Sequence, residues 1–329
     1  MKTILANLFQ HNVLDEKQAY DALMNISKGN CSDAHIASFL TVYQMRAITV
    51  QELSGFRNAL LDLCIEIDLK EFDPIDLCGT GGDGKDTFNI STLSAIIVAG
   101  AGVKVAKHGN YGVSSACGSS NVMEHLGYQF TNDIPTLKSQ IDKYNLCFLH
   151  APLFHPAMKH AGPVRKALGF KTFFNMLGPI VNPAKVKKQS TGVFSLQLAR
   201  LYNYIFQNED NHHYNIIYAL DGYDEISLTG NFKIITQHKE QLLQPENIGF
   251  QQHTQQSLFG GSTVEEAAKI FTTILEGKGT QAQNEVVLAN AGFAINCASN
   301  FKDVSLAIDL AKESLKSGKA LSILKNLVA

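Results

Sequence analysis

The chain has 329 residues, 45% of them hydrophobic, enough to fill one large domain or two ordinary ones, and two is the expectation. With 30 acidic against 28 basic side chains it carries no global field that would hold a nucleic acid or an anionic membrane surface. Any grip on phosphate must therefore come from a local arrangement.

The opening MKTILANLFQHNVLDEK is too short in its apolar run, and too soon charged, for a signal peptide or a membrane span. From Met1 to about Leu69 the pattern is helical and almost free of Gly and Pro. Ser32 can cap DAHIASFLTVYQMRA, and Thr49 with Glu52 forms a capping box for a helix that carries Leu53, Phe56, Leu60 and Cys64 on one face. This reads as a small helical bundle. Beyond Pro74 the grammar changes: PIDLCG is a strand, STLSAIIVAGAG a helix, VKVAKHG a second strand, and NVMEHLGY opens another helix. Strand, loop, helix, strand predicts an α/β domain with a mainly parallel sheet. Further strands are expected at NLCFLHA and YNIIYALDG, a hairpin at ISLTGNFKIIT, and three helices starting near Thr263, Thr280 and Asp303. Pro163 should divide PAMKHAGPVRKALG into two pieces. There is no internal repeat, low-complexity tract or charge block. The cysteines (Cys31, Cys64, Cys78, Cys117, Cys147, Cys297) make no CxxC pair and read as scattered small apolar residues in a reducing cytoplasm.

The segment DLCGTGGDGKDTFNIST, Asp76 to Thr92, crowds four glycines into the six positions Gly79 to Gly84. Such a stretch either makes a tight strand-to-helix connection or lets a ligand approach bare backbone. Its place beyond the carboxyl end of a parallel strand favours the ligand, because N–H groups and a helix N-terminus converge there. Asn89, Ser91 and Thr92 can add side-chain donors, and Lys107 and His108 end the next strand on the same side. Phosphate suits that set. The stretch is neither GxxxxGK[ST] nor GxGxxG, so a nucleoside triphosphate or a dinucleotide is not the first choice.

GTGGDGKDTFNIST, KHGN, SSACGSSNVMEHLG, HPAMKHAGPVRKALGFKTFFNMLGPIVNP and LDGYDE follow one another in an order and at spacings that resemble the anthranilate phosphoribosyltransferases, over nearly the whole chain. The resemblance implies the nucleoside-phosphorylase-like, class IV phosphoribosyltransferase fold. It implies a helical domain at 1–69, completed by a segment near 168–188, joined to an α/β domain at 70–329, and a homodimer formed through the helical domain. It also implies transfer of the phosphoribosyl group of 5-phosphoribosyl 1-pyrophosphate to anthranilate, a step of tryptophan biosynthesis, with magnesium, two ions being compatible with the pyrophosphate. Nucleic-acid and membrane partners are not implied.

On that resemblance the sugar phosphate is met by Gly79, Gly82, Asp83, Thr87, Asn89, Ile90, Ser91 and Thr92. Lys107, His108, Gly109, Asn110, Tyr111, Gly112, Val113, Ser114, Ser115 and Ser119 continue the same cradle. Asp224 and Glu225, which alone would read as a solvated turn, become magnesium ligands with the Ser91 hydroxyl, since carboxylates beside a pyrophosphate need an intervening cation. Arg165, otherwise an ordinary surface arginine, matches the family residue that grips the anthranilate carboxylate with its planar fork. Gly79, His108, Asn110 and His155 complete that pocket. Lys107, Asn110 and Arg165 would act by alignment, with no covalent residue expected.

The chain departs from the family's common pattern at Tyr111, where arginine is frequent, and at Ala116, Met158, Lys171 and Thr172. One positive charge fewer near the phosphates predicts a weaker hold on the sugar. His150, His155 and His160, five apart, would spread around a helix, and His212 with His213 sits in NEDNHHYN, read as an exposed loop, so neither group predicts a metal site. A pyrimidine nucleoside phosphorylase of the same fold, and a silent nucleic-acid-binding relative, are the rival readings. Asp83, KHGN and the Asp224–Glu225 pair count against the first, and balanced charge against the second.

Overall fold

The computed structural model describes residues 1–112, 118–299, 301 and 303–329. Four helices open the chain: α1 (Lys2–Phe9), α2 (Glu16–Ser27), α3 (Asp33–Met45) and α4 (Val50–Leu63). Their starts are set by side chains. Asp15 and Gln18 form a capping box at α2, the Ser32 hydroxyl caps α3, and Thr49 with Glu52 caps α4. Leu53, Phe56 and Leu60 turn inward from α4 as expected, whereas Cys64 is only partly buried.

The α/β region comprises β1 (Ile75–Leu77), α5 (Ile90–Gly100), β2 (Val105–Gly109), α6 (Ser119–His125), α7 (Ile134–Tyr144), β3 (Leu146–His150), α8 (Ala151–Phe154) and α9 (Gly162–Leu168). It continues through β4 (Lys188–Gly192), α10 (Leu196–Gln207), β5 (His213–Ala219), β6 (Phe232–Thr236) and β7 (Glu240–Leu243). It closes with α11 (Val264–Leu275), α12 (Gln281–Ser299), α13 (Val304–Lys316) and α14 (Lys319–Val328). The seven strands form one sheet in the order β3-β2-β1-β4-β5-β6-β7, parallel from β3 through β5 and antiparallel beyond it. The helical domain and the mainly parallel α/β domain are thus both present.

The core of the α/β region packs α5 and α12 on the sheet and takes in α11 and α13, and α5 is buried almost all round because α12, α13 and α14 also pack against it. A second core joins the N-terminal helices to Phe173, Phe174, Leu177 and Ile180 and runs on to α10 and β5.

Three expectations need correction. ISLTGNFKIIT is not a hairpin: β6 pairs with β5 and β7, while the Ile226 N–H and C=O are taken by the Asn290 side chain of α12 at 3.0 and 2.9 Å. The C-terminal helices number four, because Gly318 at φ 76° separates α13 from α14. His212 is not in an exposed loop; its ring is buried against Phe206 and bonds Glu209 at 2.9 Å. Pro163 sits in the first turn of α9, just past the break that follows a 3-10 turn at Pro156–His160, so His150, His155 and His160 share no helix.

Candidate active site

A cleft of about 650 Å³ opens above the carboxyl ends of β1 and β2, between the Gly-rich loop and the segment from α8 to Val181. Its first wall is bare backbone. Gly81 and Gly82 take φ of 61° and 73°, a region that glycine enters without Cβ strain. The glycines also admit a carboxylate. A Cβ on Gly79 would lie 2.6 Å from Asp224 Oδ2, one on Gly192 at the end of β4 would overlap the Asp224 carbonyl oxygen, and the Gly81 N–H donates to Asp224 Oδ2 at 2.6 Å. The crowded glycines therefore serve the acidic pair as well as any guest.

Asp83, Asp224 and Glu225 place carboxylate oxygens within 4.8 Å of one another. Burial pushes Asp224 up to about 6 and holds Glu225 well above the usual carboxylate range; Asp83 adds to both and Asp224 to Glu225, while the Glu225 carboxyl bonds Asp224 and pulls it back. Asp83 is raised too, first by burial, against the pull of bonded N–H groups, Lys85 and Lys171. Asp83 Oδ2 and Glu225 Oε2 are buried with no hydrogen-bond partner among the described residues. Oxygen ligands, like charge at close quarters and orphaned lone pairs together suit a hard divalent cation. The sequence places Asp83 with the phosphates; in the fold its carboxylate belongs with the acidic pair.

Opposite stands Lys107, 3% exposed on β2, whose ammonium donates to the Leu77 carbonyl and, at 3.4 Å, to Ser91 Oγ at the start of α5. Beneath it Asp76 is fully buried and accepts from the His108 N–H at 3.0 Å and from Asn182 Nδ2 at 2.8 Å. Burial lifts that carboxyl to about 6 against the pull of Lys107 and these bonds. Tyr111, in the family's frequent arginine position, sends its hydroxyl to Glu124 at 2.7 Å and sets its ring edge-on to His150. Lys171, another departure, donates to the Gly82 carbonyl, so a cation reaches the Gly-rich loop from the far side of the cleft.

The other half of the cleft is ringed and nearly neutral. Arg165 on α9 lies over the Phe174 ring at 5.0 Å and reaches Asn175 Oδ1 at 3.4 Å; burial pulls its guanidinium below the ordinary value. His108 and His155 meet edge to face at 5.2 Å. Burial pushes His108 down to about 3 and His155 to about 4, so both are neutral at pH 7. Because a carbonyl can only accept, His108 carries its proton on Nδ1 toward Gly178 O, and His155 on Nε2 toward Val181 O. That leaves His108 Nε2 buried with no partner among the described residues. Met158 lines this half of the cleft and packs toward the helical core.

The cleft brings together nearly all the residues expected from the sequence. Gly79, Gly82, Asp83, Thr87, Asn89, Ile90 and Ser91 line it, as do Lys107 through Gly112, Ser119, His155, Arg165, Asp224 and Glu225. Thr92 does not, being fully buried inside α5. Val113, Ser114, Ser115 and Ala116 lie outside the described residues. Unforeseen on the lining are Phe174, Asn175, Leu177, Gly178, Pro179 and Val181, since nothing in their side chains advertises chemistry.

Two family models match the chain, the glycosyl transferase family helical bundle domain over residues 2–64 and the glycosyl transferase family a/b domain over residues 71–321. The anthranilate phosphoribosyltransferase of Flavobacterium psychrophilum is 58% identical over 99% of this chain and 98% of its own length. This chain belongs to the anthranilate phosphoribosyltransferase family. That of Cytophaga hutchinsonii is 56% identical, with 100% of both chains covered. Among solved structures, the anthranilate phosphoribosyltransferase of Thermus thermophilus superposes with a TM-score of 0.87 at 31% identity, over 98% of each chain. The Saccharomyces cerevisiae enzyme in complex with PRPP and Mg also gives 0.87, at 28% identity over 96% of this chain and 93% of that one. This phosphoribosyltransferase fold thus carries the cleft described above in a setting shared with enzymes from distant organisms. No described helix is long and apolar enough to cross a membrane.

Proposed function

We propose that this chain transfers the phosphoribosyl group of 5-phosphoribosyl 1-pyrophosphate to the amine of anthranilate, giving N-(5-phosphoribosyl)anthranilate and pyrophosphate in tryptophan biosynthesis. The observation that carries the reading is the division of one cleft into a cationic and acidic half and a ringed half that holds Arg165. A nucleoside phosphorylase would have no need of three clustered carboxylates.

In this reading the N–H groups of the Gly-rich loop, Lys107, Asn89 and Ser119 hold the phosphates, with Thr87, Ile90 and the turn Gly109 to Gly112 around the ribose. Asp83, Asp224 and Glu225, with Ser91, would hold two magnesium ions, which when bound supply positive charge against the pyrophosphate. The Arg165 fork takes the anthranilate carboxylate, while Gly79, Asn110, His108 and His155 flank its ring and amine. The amine lone pair forms the N–C1′ bond as the C1′–O bond to pyrophosphate breaks, and the surplus amine proton leaves to solvent. Neutral imidazoles on this side avoid repelling the developing cation. Catalysis is alignment and charge stabilisation, by Lys107, Asn110 and Arg165, without a covalent intermediate.

Residues 1–69 with 168–188 are assigned to the helical domain and 70–329 to the α/β domain, supported by the core that Phe173, Phe174, Leu177 and Ile180 share with the N-terminal helices. The exposed Phe9, Val13 and Met45 of the helical domain suit a homodimer through that face. The test is direct: with magnesium and the sugar pyrophosphate, the protein should extinguish anthranilate fluorescence. Consumption of a nucleoside and phosphate in place of anthranilate would refute the reading.

A further inference from the structure

In the run Gly178 to Val181, Gly178, Pro179 and Val181 line the cleft and Ile180 is buried behind them, and each of the four carbonyls receives a side chain from a different element. Gly178 O accepts from His108 Nδ1 at the end of β2 at 2.9 Å, and Pro179 O from Gln189 Nε2 on β4. Ile180 O accepts from Arg57 Nε on α4 at 2.8 Å, and Val181 O from His155 Nε2 after α8 at 3.0 Å. Gly178–Ile180 is a single 3-10 turn, too short to use its own carbonyls. They are therefore available to donors from outside, and two of those donors are the pocket imidazoles.

Arg57 is the one charged donor in this row, and it does not line the cleft. Its guanidinium pairs with Glu209, two residues past the end of α10, whose second oxygen bonds His212 Nδ1 at 2.9 Å. Both partners of the ion pair are nearly buried, at 18% and 19% side-chain exposure. The guanidinium bonds the Ile180 carbonyl through Nε while Nη2 lies in ion-pair contact with Glu209, so two sides of its plane are engaged and the Ile180 carbonyl faces a constrained donor. The carbonyls on either side, Pro179 O and Val181 O, belong to the adjoining peptide planes of the same short run, and Gly178 O precedes them.

We infer that Arg57 is a positioning residue for the aromatic substrate: with Glu209 it fixes the Gly178–Val181 backbone, whose carbonyls set the tautomer and tilt of His108 and His155. This rests on the proposed anthranilate end of the cleft. The sugar-phosphate half takes its geometry from the Gly-rich loop and β2 and does not depend on Arg57.

The test uses Arg57→Met, Arg57→Lys and Glu209→Gln in the full chain, with steady-state kinetics in both substrates and ¹⁵N spectra of the histidine rings recorded without substrate. Arg57→Met should raise KM for anthranilate about tenfold, the size of one lost charge-assisted hydrogen bond, and leave KM for the sugar within about twofold. Arg57→Lys, which keeps one donor, should recover most of the loss, and Glu209→Gln should fall between. The wild-type spectrum should show His108 protonated at Nδ1 and His155 at Nε2, and Arg57→Met should blur both into tautomer mixtures. A lower melting temperature with unchanged anthranilate KM and unchanged ring signals would make Arg57 merely structural and overturn the inference. If Arg57→Met does not fold, the ordering of the other two variants decides. If the wild type consumes no anthranilate, the proposed function fails, and the ring signals alone judge this inference.

Discussion

The two halves of the cleft are built by opposite means. The phosphate half is made from a few short contiguous motifs: glycines at positive φ, a buried lysine, and an adjacent acidic pair that joins Asp83, with small side chains and formal charges throughout. The ringed half is assembled from distant segments, and its two imidazoles are neutral because burial and backbone carbonyls make them so. A guest rich in negative charge can be met by backbone and cations alone. A flat amine needs walls that do not compete for its lone pair or repel it as it becomes positive.

Four changes would break or sharpen this contrast. The largest effect should follow Asp224→Asn, which keeps shape but removes one of the three carboxylates: kcat/KM for the sugar should fall about 100-fold or more with little change in KM for anthranilate, measured at saturating magnesium. Arg165→Ala should do the reverse, raising KM for anthranilate roughly 30-fold while that for the sugar barely moves. Equal effects on both substrates in either variant would erase the division between the halves.

Acid should reach the ringed half through stability. Both imidazoles titrate far below an unfolded histidine, near 6.5, so their contribution is complete above that value and is lost as pH falls toward about 4 for His155 and about 3 for His108. The unfolding free energy from urea titrations should therefore fall below pH 6.5, by up to about 1.4 kcal/mol per pH unit for each ring. In the variant His108→Gln, His155→Gln that slope should flatten; an unchanged slope would show that the rings do not carry it. The smallest effect should be Tyr111→Arg. Freeing Glu124 and restoring a cation beside the phosphates should lower KM for the sugar about two- to fivefold at low salt, and less in high salt.

How much of this could be read from the chain follows the same contrast. The Gly-rich loop, KHGN and the Asp224–Glu225 pair are contiguous words, and local chemistry dictates their shape, so they were legible. β4 was not, because KQSTG has no apolar alternation: Gln189, Ser190 and Thr191 are buried polar residues in a central strand, and Gln189 spends its amide on Pro179. The false hairpin at ISLTGNFKIIT had strand-like composition on both arms, but an asparagine of α12, 64 residues away, satisfies the first arm's backbone. Asp83 was assigned from its neighbours in sequence and belongs by contact with a pair more than a hundred residues on. The Gly178–Val181 carbonyls were invisible because backbone atoms leave no letter in the sequence.

Gly192 carries a last consequence of its own. It has no side chain and sits at the tip of β4, where its carbonyl accepts the Thr80 N–H at 3.0 Å, yet even a methyl group there would occupy the space of the Asp224 carbonyl. A deep mutational scan should therefore find one of its sharpest intolerances at a residue that has no side chain. Engineers who seek to retune the acidic cluster would meet that prohibition before they meet any limit imposed by the carboxylates.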